Sequence, residues 1–129
     1  FFYDPKGRKT LPYYDTFPLV LPIESYPDGF LGINFHYLPM GLRLKLLDRI
    51  VDFSSNTKFD ESTIIDANYS QLKNIREIKP TLKRYLAGRV KTRFRRVDAD
   101  EFTVAALLPI ARWKNGTQQD VYKDSRKMI

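Results

Sequence analysis

Six prolines fall within the first 39 residues, at Pro5, Pro12, Pro18, Pro22, Pro27 and Pro39, and they forbid a long helix in that third of the chain. Residues 17–23 (FPLVLPI) form an apolar run of strand length with proline near either end. Proline cannot donate to a ladder, so this strand belongs at a sheet edge or carries a bulge. Tyr26-Pro27-Asp28-Gly29 has the signature of a type I or II turn, with Pro pre-setting φ at the second position and Gly easing the exit. Residues 30–38 (FLGINFHYL) are aromatic and β-rich, so residues 17–38 read as a hairpin. Gly32 inside the second strand marks a bulge or a close approach of another backbone.

After Pro39 the hydrophobic period lengthens. Residues 40–53 (MGLRLKLLDRIVDF) place Leu42, Leu46, Leu47, Ile50 and Phe53 on one helical face. Residues 54–62 read as a polar loop and 67–75 as a second, shorter helix. Pro80 can open a third helix over TLKRYLA, which Gly88 would close. Residues 89–97 (RVKTRFRRV) alternate, as do 102–108 less cleanly, and both are expected to be strands. Thr117-x-x-Asp120 resembles a capping box opening a C-terminal helix. The order predicts an α+β fold: a Pro/aromatic-rich β-hairpin, central helices, a second short antiparallel strand pair and a C-terminal helix. One domain over 1–129 is expected, with 1–16 as an extended arm, 17–112 as the body and 117–129 as the C-terminal helix. The opening Phe1 in place of Met predicts a processed product or a piece of something longer.

Chemistry is thinly represented. The chain has no cysteine, which removes disulfides, thiolate metal ligands and a thiol nucleophile. His36 is the single histidine, so a multi-histidine metal centre is excluded as well. Carboxylates such as Asp4 and Asp15 lie beside prolines, where Asp is good turn chemistry, and the cluster Asp98, Asp100 and Glu101 balances the preceding basic run. No nucleophile elbow, zincin, phosphate-binding loop or dinucleotide fingerprint occurs. The expectation is a protein without catalytic activity, cofactor, metal or small-molecule substrate, with His36 structural rather than a general base. No apolar run is long enough to span a membrane.

Lys+Arg number 22 against 15 Asp+Glu, and the resulting net charge of +7 favours anionic partners. The excess concentrates in one stretch: Lys83, Arg84, Arg89, Lys91, Arg93, Arg95 and Arg96, with no acid between them. On a strand, Arg89, Lys91, Arg93 and Arg95 share one face while Val90, Thr92 and Phe94 turn to the core. Such a row could meet phosphates, an acidic protein face, or only solvent. Against single-strand binding stands the lack of aromatics interleaved on the basic face.

Ten of the chain's aromatic residues lie within the first 39 positions. Rings on proline-stiffened backbone make low-entropy anchors, so Phe1, Phe2, Tyr3, Tyr13 and Tyr14 are candidate protein-interface residues. The alternative is that they form the core of a small β unit. The first nine residues have too little pattern to fold alone and must dock or stay disordered.

Residues 3–6 (YDPK), 11–19 (LPYYDTFPL), 29–39 (GFLGINFHYLP) and 121–126 (VYKDSR) resemble runs in small virion proteins of contractile-tailed bacteriophages, the myoviruses. The resemblance brings no catalytic or metal residues. It implies a structural assembly protein of the virion, in the tail or baseplate rather than the capsid shell, assembled in the host cytoplasm. Its partners would be other virion structural proteins or further copies of itself. The competing expectation is a nucleic-acid-binding accessory protein, on packaged or terminal DNA, that grips phosphates through residues 89–96.

Overall fold

The computed structural model describes residues 1–7, 9–53, 75–92, 94 and 99–129. Its centre is a three-stranded antiparallel sheet in the order β2–β3–β4, built from β2 (Val20–Tyr26), β3 (Gly29–Asn34) and β4 (Leu82–Leu86). A second, two-stranded sheet pairs β1 (Tyr14–Asp15) with β5 (Trp113–Lys114). The hairpin is where the prolines put it. Tyr26 pairs with Gly29 across Pro27 and Asp28, and neither loop residue has positive φ, which leaves type I of the two expected turns. Pro22 sits on the edge strand, and the register slips between Pro22 and Glu24, directly opposite Gly32. A Cβ on Gly32 would lie 2.3 Å from Val20 Cγ1, so the bulge and the glycine are two sides of one accommodation.

Leu21 and Ile23 point from β2 into the core, while Val20 and Pro22 are only half-buried. They meet Ile33, Phe35 and Leu38, and helix α1 (Met40–Phe53) covers this face with Leu46 and Leu47. Ile75, Ile78 and Ala106 complete the cluster. Side chains of α1 beyond Arg49 lie outside the described residues, as do the expected loop 54–62 and residues 67–74 of the second expected helix.

Three expectations are corrected. The segment after Pro80 is not a helix but strand β4, followed by a 3-10 turn over Ala87–Arg89. Pro80 stands in a turn in which Thr81 donates through both N–H and Oγ to Ile78 O, and the free edge of β3 then captures the chain. Pairing with a strand some fifty residues earlier overrides local helix propensity. Residues 102–108, expected to form a strand, are helical as far as Ala106 instead, within helix α2 (Ala99–Ala106). A short apolar run looks alike in both periods, and the Ala-rich composition decides for helix. Residues 89–92 do not open a regular strand pair: Val90 makes an isolated bridge to Tyr3, and Arg93 and residues 95–97 lie outside the described set. The second antiparallel strand pair of the fold is β1 with β5, not residues 89–97 with 102–108.

The C-terminal helix α3 (Gln118–Met128) starts as foreseen. Thr117 Oγ accepts from Asp120 N at 3.2 Å and Asp120 Oδ2 accepts from Thr117 N at 3.0 Å. Val121 is buried, and Ser125 Oγ donates to Tyr37 O at 2.6 Å. The α+β class, the N-terminal hairpin and the C-terminal helix stand as expected.

Candidate nucleic-acid interface

Residues 1–4 dock rather than dangle. Asp4 N donates to Arg89 O at 3.1 Å, Lys91 N to Phe2 O at 2.8 Å, and Phe2 N to Thr92 Oγ at 2.9 Å. Tyr3 N also reaches Thr16 O, and the buried Tyr3 hydroxyl accepts from Leu86 N at 2.8 Å. The opening of the chain is thus stitched antiparallel to residues 89–92 and held against β4.

This seam brings two basic segments together. Beyond Asp4 the chain turns, with Thr10 N and Leu11 N both donating to Gly7 O, and the turn presents Lys6 and Lys9. A shallow hollow of about 280 Å³ lies between them and Arg89, lined also by Pro5, Gly7 and Thr10. Lys6, Lys9 and Lys91 are exposed and Arg89 is half-buried. Among the described residues, none of the four is held in an ion pair with another described residue. The only carboxylate in the first ten residues is Asp4. Four cations within one region repel one another in low salt, and a multivalent anion relieves that repulsion.

The remaining basic residues of the expected row behave differently. Lys83 packs over the Tyr37 ring, 4.0 Å from its centroid, and burial lowers its pKa below that of a free lysine. Arg84 pairs with Asp28 and lies 3.8 Å from the Tyr26 ring centroid. Lys83 is thus taken up within the fold, while Arg84 stays at the surface in its pair with Asp28. Of the four residues expected on one strand face, Arg89 ends the 3-10 turn and Lys91 follows the isolated bridge at Val90, while Arg93 and Arg95 lie outside the described residues. Phe94 does not turn to the core as the alternation implied: it is 60% exposed. Lys6 and Lys9 were missed because the seam that places them beside Arg89 joins positions some eighty residues apart. Their signal is the run Lys6-Gly7-Arg8-Lys9 itself.

Four of the five candidate interface aromatics pack on rings of this same chain. Phe1 meets Tyr3, Phe30, Tyr85 and Phe94 edge-on, and Phe2 lies 4.7 Å from Phe17. Tyr13 packs with Tyr37 and Trp113; Tyr14 is half-buried in β1. Burial, then the carboxylates of Asp124 and Asp120, push the Tyr13 pKa up to about 12. His36 is enclosed: its Nδ1 meets Asp15 Oδ2, and no solvent reaches the ring. Among the described residues no helix is long and apolar enough to cross a membrane, and no three His, Asp or Glu side chains gather where they could hold a metal ion.

The family model described as Phage T4 terminal DNA protecting protein matches residues 1–126. No curated protein and no solved structure gives a significant match. The family match upholds a protein of a T4-type phage and corrects the expected role: a structural part of the tail or baseplate gives way to the competing reading, in which the basic residues meet nucleic acid. With residues 1–126 covered, the chain belongs to the Phage T4 terminal DNA protecting protein family.

Proposed function

We propose that this chain binds the end of a DNA molecule and shields it, with no catalysis of its own. The observation that carries this reading is the gathering of Lys6, Lys9, Arg89 and Lys91 at one seam, unpaired with any described carboxylate. The name of the family supports the choice of DNA over an acidic protein. Lysine and arginine at such a surface neutralise phosphates and release condensed counterions, so affinity rests on charge and falls as salt rises. The hydrogen-bonded seam and the turn at Gly7 fix the backbone from which these side chains extend, which reduces the ordering cost of binding. Such a protein acts where phage DNA ends occur, in the infected cytoplasm and in the assembled virion.

The test is a titration of linear duplex at two salt concentrations with wild type and with Lys9→Glu/Arg89→Glu. The wild type is expected to bind with a steep salt slope that drops by about 2 in the variant, roughly 0.9 for each lost phosphate contact. Bound wild type is also expected to slow an exonuclease that enters from the end, while leaving the DNA intact on prolonged incubation with a divalent cation. Salt-independent binding, or a variant that binds as the wild type does, overturns the reading. Cleavage of the DNA overturns its non-enzymatic part.

A further inference from the structure

Phe94 is a large apolar side chain left 60% exposed although a cluster of rings stands beside it. Its centroid is 4.9 Å from that of Phe1 and 5.8 Å from that of Phe30, at interplanar angles of 71° and 68°. Among the described residues no ring stacks flat on it. Phe1 is braced in turn by Tyr85 at 5.6 Å and Tyr3 at 6.2 Å, so Phe94 is propped by a packed aromatic group. A single exposed apolar residue is ordinary on a protein surface. What sets this one apart is its place against Phe1 at the end of the seam, five residues along the chain from Arg89, which lines the hollow with Lys6 and Lys9. Five residue steps separate Arg89 from Phe94, a reach of at most roughly 17 Å. At about 3.4 Å of rise per base pair, that is the length of roughly five base pairs of duplex.

We propose that Phe94, braced by Phe1, stacks on the outermost base of a DNA end while the basic hollow holds phosphates further in. The occupant follows from chemistry. Cations attract any stretch of phosphate backbone, but inside a duplex each base has both faces covered by its neighbours. Only an end offers a free π face, and an aromatic ring beside a phosphate site recognises that face whatever the base. The inference rests on the DNA-end reading and adds its selectivity: the cations supply affinity, and the ring tells an end from the interior.

The experiment compares a blunt-ended duplex with a dumbbell of the same sequence whose ends are closed by loops, each against wild type, Phe94→Ala and Phe94→Trp. Wild type is expected to prefer the open duplex by roughly 5- to 150-fold, the range of one base–aromatic stack. Phe94→Ala should lose that preference and keep its affinity for the dumbbell; Phe94→Trp should restore it. A duplex with a single-stranded overhang, run alongside, separates stacking on an unpaired base from stacking on a terminal pair, and tighter binding to either supports the platform. Equal binding of open and closed duplex by wild type overturns this inference and leaves DNA binding standing. An equal loss on both substrates in Phe94→Ala overturns it too, by making Phe94 a general structural support. Binding to neither substrate removes the DNA reading and the platform together.

Discussion

His36 Nδ1 stands 2.6 Å from Asp15 Oδ2, with both side chains closed off from solvent. Asp15 is a junction rather than a pair. Its Oδ1 accepts from Phe17 N at 2.9 Å and Arg112 N at 3.1 Å, and its Oδ2 accepts also from Asn34 Nδ2 at 3.2 Å. One carboxylate therefore ties β1, the end of β3, the turn after it and the approach to β5. Asp15→Ala leaves a buried histidine and two backbone donors unmatched, and should cost about 3 kcal/mol in chemical denaturation. A loss below about 1 kcal/mol would contradict the junction.

Arg43 does comparable work with no acid at all. Nε donates to Leu38 O at 2.7 Å, Nη1 to Ala106 O at 2.8 Å, and Nη2 to Tyr122 Oη at 3.0 Å and His36 O at 3.3 Å. The side chain is 1% exposed, and burial lowers its pKa, yet carbonyl dipoles on several sides hold the charge. Lysine has no planar fork to span these acceptors. Arg43→Lys should lower stability by about 2 kcal/mol, with faster amide exchange in α2 and α3 in the same experiment. Unchanged exchange in α3 would show that Tyr122 and Ala106 are held by other means.

Gly29 is required for space and not for φ. A Cβ there would lie 1.9 Å from Tyr85 O, on the backbone of β4. Gly29→Ala should cost about 2 kcal/mol or more by prying β4 from β3, while Gly41→Ala, with nothing within 4 Å, serves as the tolerated control. Equal stability of the two variants would refute this account.

Three tyrosines give the fold an alkaline limit. Burial above all raises Tyr37 and Tyr85 well above the ordinary phenol value, with the Asp15 charge and a neighbouring tyrosine adding to it in each case, and Tyr13 reaches about 12. A pKa raised in the folded state means that the unfolded chain loses its proton first. The stabilisation is complete below about pH 10, the unfolded value, and drains away as pH climbs through the folded values. Unfolding between pH 10 and 12 should coincide with late phenolate absorbance. All eight tyrosines ionising near pH 10 with the fold intact would be the contrary result.

Elements whose cause is local were legible in the sequence. Pro27 and the apolar run 17–23 mark the hairpin, the spacing of Leu42, Leu46 and Leu47 marks α1, and Thr117 with Asp120 marks the start of α3. Elements chosen by distant partners were not. TLKRYLA becomes a strand because β3 has a free edge, and Arg43 is drawn inward by carbonyls from residues 38 to 106. The site divides the same way. Arg89 and Lys91 show in the charge run, but only the seam adds Lys6 and Lys9, and only the packed rings of Phe1, Tyr3 and Tyr85 leave Phe94 outside.

The pairing of residues 2–4 with 89–92 has a practical corollary for handling this polypeptide. A tag fused ahead of Phe1 starts from the residue whose ring touches Phe94 and would crowd the surface where a duplex terminus is proposed to rest. An affinity handle fused after Ile129 leaves from the end of α3, a separate element whose own docking runs through Val121 and Ser125.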